Sequence, residues 1–454
     1  MFPDFQFFYI YNMISKIKAL LNDSEHRHTV LNSILALFIR VLGAGMAFIF
    51  NLIIARELGA EQAGIFFIAL SIAMLIASVS RLGFDDTVLR FTAANNDNPY
   101  IIKSILHFSL RFSVPVAILF TVLIYFLSPY IAGALFKKNE LNSVLSSMSP
   151  SIVGFCIVYL LAMSLQARHK LLASIPCQGI AHFLLCGSAI IGFNVNNAEQ
   201  ASLLFSLSLG LSAIFFYRLS IRGLSHNELD FDEHDNLPKS ISLRDIRNSA
   251  MPNWVITIML HIVQWSAPIF IGVYLVAEQA AYFSVAQRVA MLSSFVLMAV
   301  NLVVAPKFAA FWNKGDIEGI RTTALFSVRL LILSAMPIVL LMLIFPDFLM
   351  GLFGDEFKKG STLLQILVIG QTVNVLTGPV GYLLTMSGNE RDLRFSVLVS
   401  GFGVLFLVPI FTFFYGAIGA AFVTAFFVSI QNLLAVVFVK KRLGFNTLKF
   451  WNKI

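Results

Sequence analysis

Long apolar runs alternate with short polar breaks along nearly the whole chain. A helix that crosses a bilayer needs about 20 mostly apolar residues. Twelve runs approach that length, roughly 30–54, 63–84, 110–134, 148–167, 171–193 and 200–221 in the first half, and roughly 251–275, 280–304, 323–346, 361–386, 394–414 and 417–439 in the second. The longest polar interval, 222–250, falls between the sixth and seventh runs and reads as a solvated linker. The pattern predicts an all-α integral membrane protein. It would have a cytoplasmic N-terminal segment 1–29, a first lobe 30–221, the linker 222–250, a second lobe 251–439 and a basic cytoplasmic tail 440–454. The early patch FQFFYIYNMI lacks a basic flank and a small-residue cleavage site, so it reads as an amphipathic foot on the membrane rather than a signal peptide.

Composition agrees with lipid as the solvent. The chain has 454 residues, 58% hydrophobic and only 12% charged, where a soluble protein carries about 25% charged residues. Phenylalanine is in surplus, 45 against 4 tryptophans, as suits lipid-facing and core-filling helices. The net charge of +8 would suggest nucleic acid in a soluble chain. Here it reports orientation instead. With the N-terminus inside, the cytoplasmic segments hold 22 Lys and Arg, and the outer loops hold 5: Arg56, Lys137, Lys138, Lys358 and Lys359. The positive-inside rule therefore puts both termini in the cytoplasm and predicts an even number of spans.

Two stretches nearly coincide. AEQAGIFFIAL begins at Ala60 and AEQAAYFSVAQ at Ala277, an offset of 217 positions. At that offset 11 of the 26 residues in 58–83 meet an identical residue in 275–300. The register persists, with Pro129 meeting Pro346 and Leu135-Phe136 meeting Leu352-Phe353. Spans one to six and seven to twelve thus read as copies of one unit. An even number of spans per copy gives parallel repeats about an axis along the membrane normal, the plan of a transporter whose two lobes pack around a central cavity and rock against each other.

The charges predicted to lie within the spans are all arginine. Arg40 is central in the first run and Arg288 lies about two turns into the eighth. An arginine at mid-bilayer costs at least about 2.5–3.5 kcal/mol and persists where it faces water or a partner. With no carboxylate in any span, Arg40 and Arg288 are expected to line a cationic cavity that selects an anion. A guanidinium binds phosphate with a bidentate fork and stays charged at any relevant pH. Arg81, Arg111 and Arg329 are further candidates for the anion, although their places near span ends favour snorkelling to headgroups. Gln264, Asn301, Gln371 and Asn374, with Gln431, are candidate contacts for sugar hydroxyls, although each taken singly is more often an interhelical hydrogen bond. His182 and His261 are candidate proton-responsive groups, with satisfied packing histidines as the plainer reading.

Other chemistry finds no support. G-x-S-x-G, H-E-x-x-H and phosphate-binding glycine loops are absent. Cys156, Cys177 and Cys186 lie in apolar runs and read as small buried hydrophobes, not a disulfide framework or metal site. The cluster ELDFDEHD in the linker reads as a solvated stretch. Neither an enzyme, a cofactor, a metal nor a nucleic-acid partner is expected.

The run ARELGAEQAGIFFIALSIAMLIASVSRLGFDDTVLRF carries the spacing A-R-x-L-G-x-x-x-x-G … L-G-x-D-x-x-x-x-R-F, at Ala55, Arg56, Leu58, Gly59, Gly64, Leu82, Gly83, Asp85, Arg90 and Phe91. It resembles the Wzx-type polysaccharide flippases of the multidrug/oligosaccharidyl-lipid/polysaccharide superfamily, as do APKFAAFWNKGD and YGAIGAAFVTA. The resemblance covers roughly 30–440 and implies a V-shaped, two-lobed fold with alternating access. It implies that a polyprenyl-pyrophosphate-linked oligosaccharide, an O-antigen or capsular repeat unit, moves from the cytoplasmic to the outer leaflet of a bacterial inner membrane. It also implies that the lipid tail stays in the bilayer and that the first and eighth spans, with Arg40 and Arg288, border the lateral opening. A polysaccharide polymerase and its chain-length machinery are the implied partners. Some relatives couple to a proton or sodium gradient, and the lack of span carboxylates leaves the coupling ion open here. Three other functions compete: a lipid II flippase, which usually has fourteen spans; a drug/cation antiporter, which would be expected to carry a cavity carboxylate; and a membrane-bound glycan polymerase or ligase, which would be expected to have a large outer loop.

Overall fold

The computed structural model describes residues 24–222 and 243–451. The N-terminal apolar patch and the acidic cluster of the linker lie outside the described residues, as does the side chain of Arg40. All regular structure among the described residues is helical. In the first half the helices are α1 (Ser24–Ser80), α2 (Phe84–Ala94), α3 (Pro99–Tyr130), α4 (Glu140–Met148), α5 (Ser151–Ala167), α6 (Leu171–Ile175), α7 (Ala181–Gly192) and α8 (Ala198–Arg222). In the second half they are α9 (Leu243–Tyr274), α10 (Ala277–Asn313), α11 (Ile317–Ile344), α12 (Pro346–Gly351), α13 (Ser361–Thr377), α14 (Val380–Met386) and α15 (Glu390–Leu443).

Ten of the described helical stretches are long and apolar enough to cross a membrane. The chain is a multi-pass membrane protein. Its outward surface carries residues that water would reject, such as Leu119, Phe126, Phe413 and Phe414. Backbone polar groups cannot be left open in hydrocarbon, and helices satisfy them within the segment.

Several boundaries differ from the sequence reading, each for a local reason. The first two predicted spans both lie in α1, where the non-helical backbone of Gly59 (φ 69, ψ 174) separates two helices. The last two both lie in α15 and are separated in the same way at Gly416 (φ 63, ψ −152). These positive φ values suit glycine, which has no Cβ. The predicted fourth span starts earlier, because α4 runs into α5 through Ser149 and Pro150. The tenth is divided at Gly378 and Pro379 between α13 and α14. Two π-helical turns, Ile131–Leu135 and Pro176–Ile180, follow Pro129 and open at Pro176. Proline removes an N–H from the ladder and loosens the turn. The polar interval 222–250 is shorter than predicted, since α9 begins at Leu243, and the basic residues 440–442 complete the last turn of α15 rather than open a tail.

The halves meet along α1, α9 and α10. The two copies of the repeated phrase lie against each other there. Gly64 is so close to Ala277 that a Cβ on it would overlap the Ala277 carbonyl. Within the first half, Gln62 of the same phrase donates to Glu140 Oε2 (3.0 Å) and accepts from the Ala198 N–H (3.0 Å). The phrase thus both seats the halves on each other and ties α1 to the starts of α4 and α8.

Candidate functional site

Contacts between the halves occur at three levels. The hairpin end of the bundle holds Gly59 and Lys138. The linker end holds Arg81 and the start of α9. Ala60 and Arg81 are about 30 Å apart along α1 at 1.5 Å per residue.

At the hairpin end, each half reaches into the other with a charged side chain. Lys138 Nζ donates to the carbonyls of Gly272 (2.6 Å) and Leu275 (2.7 Å), which close α9. Glu356 Oε1 accepts from the N–H of Ala60 (2.7 Å), the first residue after the Gly59 break. Helix C-termini leave unpaired carbonyls and favour cations, and N-termini leave unpaired N–H groups and favour anions. Lys138 and Glu356 therefore cap helices of the opposite half with matching sign. Arg56 Nε adds a bond to the Leu352 carbonyl (2.8 Å). Burial holds the Lys138 ammonium below the usual lysine range, and Glu278 pulls it partly back.

At the centre lies Arg288. Its guanidinium is half-buried, with its carbon 4.4 Å from the Phe67 ring centroid across the boundary and 5.9 Å from that of Trp265 on α9. Nη1 donates to the carbonyl of Ser284 (2.9 Å), one turn back. Arg288 makes no ion pair among the described residues. Phe67 and Ser284 are equivalent positions of the two repeats, and the equivalent of Arg288 is Ser71. The positive charge is therefore a feature of one half only. On the next turns of α10, Ser294 Oγ donates to Gln371 Oε1 (2.7 Å), which also accepts from Asn374 Nδ2 (3.2 Å). Gln287, Ser294 and Asn301 are spaced by seven and share a face of α10. Gln287 donates to the Gln264 carbonyl (3.1 Å), and Asn301 Oδ1 is buried with no hydrogen-bond partner among the described residues.

At the linker end, Arg81 does not snorkel as expected. It is 1% exposed, ion-paired through Nε to Asp85 Oδ2 (2.8 Å), stacked 4.4 Å from the Tyr159 ring centroid, and 3.5 Å from His261 Nε2 on the other half. The left-handed turn at Leu82 and Gly83 brings Asp85, at the start of α2, back to Arg81, so a carboxylate outside the apolar run supplies the charge the spans lack. Trp254, two turns before His261 on α9, donates Nε1 to the Val79 carbonyl (2.9 Å). Gly83 (φ 75) lies so close to α9 that a Cβ would overlap the Ala250 carbonyl.

The structure does not bring all the predicted residues together. Arg111 and Arg329 are exposed on α3 and α11, away from the boundary, and Arg329 Nε donates to the Phe450 carbonyl (2.6 Å). His182 is fully buried among Phe155, Phe183 and Phe205 in the first half, and neither ring nitrogen has a hydrogen-bond partner among the described residues. It packs as expected but is not satisfied as expected. Cys156, Cys177 and Cys186 are buried and unpaired. Phe67, Trp265, Lys138, Glu356 and Tyr159 escaped the sequence reading. The only available signal was the charge pair that follows each repeated Leu-Phe, in LFKKNE and LFGDEF.

The fold as a whole is similar to that of several solved structures. The structure resembles an inward-facing multidrug-resistance transporter of the MATE family and MOP superfamily, with a TM-score of 0.70 at 14% identity, covering 90% of this chain and 98% of that one. It also resembles the lipid II flippase MurJ in an inward closed conformation (TM-score 0.65, 16% identity, 90% and 87% covered). A MOP-superfamily transporter from Pyrococcus furiosus gives a TM-score of 0.61 at 14% identity (93% and 96% covered). The fold is that of MOP-superfamily transporters.

The family model described as polysaccharide biosynthesis protein matches residues 30–312, and a MatE model matches 262–414. The chain belongs to the polysaccharide biosynthesis protein family. It is 24% identical over 412 residues to the probable low-salt glycan biosynthesis flippase Agl15 of Haloferax volcanii, which covers 88% of this chain and 82% of that protein.

Proposed function

We propose that the protein is a flippase, a transporter and not an enzyme, for a lipid-linked oligosaccharide. Its cargo is a polyprenyl-pyrophosphate-linked repeat unit of an O-antigen or capsule, carried from the cytoplasmic to the outer leaflet of the bacterial inner membrane. The observation that carries this reading is Arg288, a mid-membrane arginine at the seam of the two halves with no ion pair among the described residues. An unneutralised guanidinium in that place favours an anionic group, and a diphosphate offers the oxygens its fork takes. The amide-bearing contact of Ser294 with Gln371 and Asn374 lies further along α10, against α13, and suits sugar hydroxyls. The glycan-flippase relative supports the same class of cargo.

Twelve crossings follow if α1 and α15 each turn at their glycine break. The linker end then faces the cytoplasm, with both termini. The exported unit passes to the polymerase and chain-length machinery on the outer side.

The test is deletion of the gene with analysis of carrier-linked glycans and the surface polymer. Loss of polymer, with single repeat units held on the cytoplasmic face, is the expected result. Units that reach the outer face but remain unpolymerised would overturn it in favour of a polymerase. An unchanged glycan profile would point to drug efflux, and accumulation of peptidoglycan precursor to lipid II.

A further inference from the structure

His261 contacts the opposite half in a way that only one protonation state permits. Its Nδ1 lies 2.8 Å from the Thr257 carbonyl. A carbonyl only accepts, so Nδ1 carries the hydrogen. In the neutral ring Nε2 is then a bare lone pair. It faces Arg81 Nη2 at 3.5 Å, and a guanidinium only donates. A proton on Nε2 would place donor against donor and positive charge against positive charge.

The arginine has no room to withdraw. It is 1% exposed, held by Asp85 at 2.8 Å and stacked on Tyr159. The imidazolium must move instead. Asp85 Oδ1 and Arg81 Nη1 are buried with no hydrogen-bond partner among the described residues. The carboxylate oxygen is an acceptor in wait for a new donor. The other titratable or charged groups around this contact are Cys156 and Tyr159 on α5, Asp86 beside Asp85 on α2, and Arg288 on α10, one turn along α9 through Trp265. On α15, Gly401 packs on Met259 of α9, and the charged residues nearest the contact are Glu390 and Arg394, beside Asp86.

We propose that His261 is a proton-binding site, and that a proton taken from the aqueous phase onto Nε2 breaks the Arg81 contact and releases the linker end of the boundary. Proton binding and parting of the halves are then linked, each favouring the other to the same extent. The inference rests on the transporter reading only in requiring that the halves move.

The test places spin labels on cysteines introduced at Arg90 and Met251, both exposed, on opposite halves near this contact. The full chain is reconstituted in lipid nanodiscs, with the buried native cysteines left in place. The interlabel distance is measured from about pH 8 to about pH 4, well past the ordinary histidine pKa of about 6.5, because the facing guanidinium opposes a proton on Nε2. The wild-type distance should lengthen by several ångström as pH falls. His261→Gln should stay at the short distance throughout, and His261→Lys at the long one. A wild-type distance that does not respond to pH overturns the proposal without recourse to any variant. So does a full response in His261→Gln. Because no glycan is present, either failure leaves the flippase reading intact, and a failed flippase reading leaves this one standing.

Discussion

The guanidinium of Arg288 stacks on the ring of Phe67, a residue of the opposite half, with 4.4 Å between its carbon and the ring centroid. This contact gives the central charge a resting place when no anion is bound, since a cation over an aromatic face is worth about 0.5–2 kcal/mol. Arg288→Ala should lower export about 10- to 100-fold with membrane abundance near normal, as expected for loss of a charge-assisted hydrogen bond of about 1.5–3 kcal/mol. Arg288→Lys should restore only part, because the planar fork is lost. Phe67→Leu removes the competing seat and should tighten binding of a pyrophosphate-bearing lipid. Export assays with abundance controls, and binding of a polyprenyl pyrophosphate in detergent, check these outcomes. Wild-type export by Arg288→Ala would remove this residue from the pathway.

Gly64 has no space for a side chain against the Ala277 carbonyl. Gly64→Val should force the halves apart and cost about 1–3 kcal/mol, the usual range for overpacking. The expected result is a lower melting temperature and reduced abundance. Gly315→Ala serves as a control for crowding, since nothing lies within 4 Å of a Cβ there. It should cost only the strain of its positive φ of 69°. An unchanged melting temperature in Gly64→Val would mean that the halves are not seated on each other at this point.

Lys138 and Glu356 cap helices across the hairpin end. Lys138→Ala with Glu356→Gln should loosen that end, so that a cysteine at Ser71, below it on α1, reacts faster with a thiol reagent. Conversely, cysteines at Lys138 and Leu275 bridged by a bifunctional thiol reagent about as long as the lysine side chain should arrest export. Export that continues at full rate in the cross-linked form would show that this end need not open.

Orientation is checked at Lys137 and Lys359, both exposed at the hairpin end. Cysteines there should be labelled by an impermeant reagent on intact cells. A cysteine at Lys441, at the linker end, should need permeabilised cells. The reverse pattern would invert the topology and with it the direction of transport.

The sequence alone determined those properties of the protein that depend on composition and periodicity. Apolar runs of spanning length and the surplus of phenylalanine sufficed to define an all-helical membrane protein, because the bilayer accepts few other solutions. Arg288 stood out because a charge in a long apolar run needs a reason wherever it points. The sequence did not place Arg81, whose position near a span end suggested a headgroup contact. The bend at Leu82 and Gly83 (φ 53 and 75), which returns Asp85 at the start of α2 to Arg81, buries it instead. Nor did it disclose that Phe67 meets Arg288, that His261 meets Arg81, or that Lys138 closes α9. These partners are separated by more than a hundred residues, and only the packing of one half on the other brings them within reach. Local pattern fixes how each segment meets the lipid. Which polar groups meet one another is decided by the register between helices, and that register is set at contacts such as Gly64 on Ala277, where a single absent Cβ lets two backbones touch.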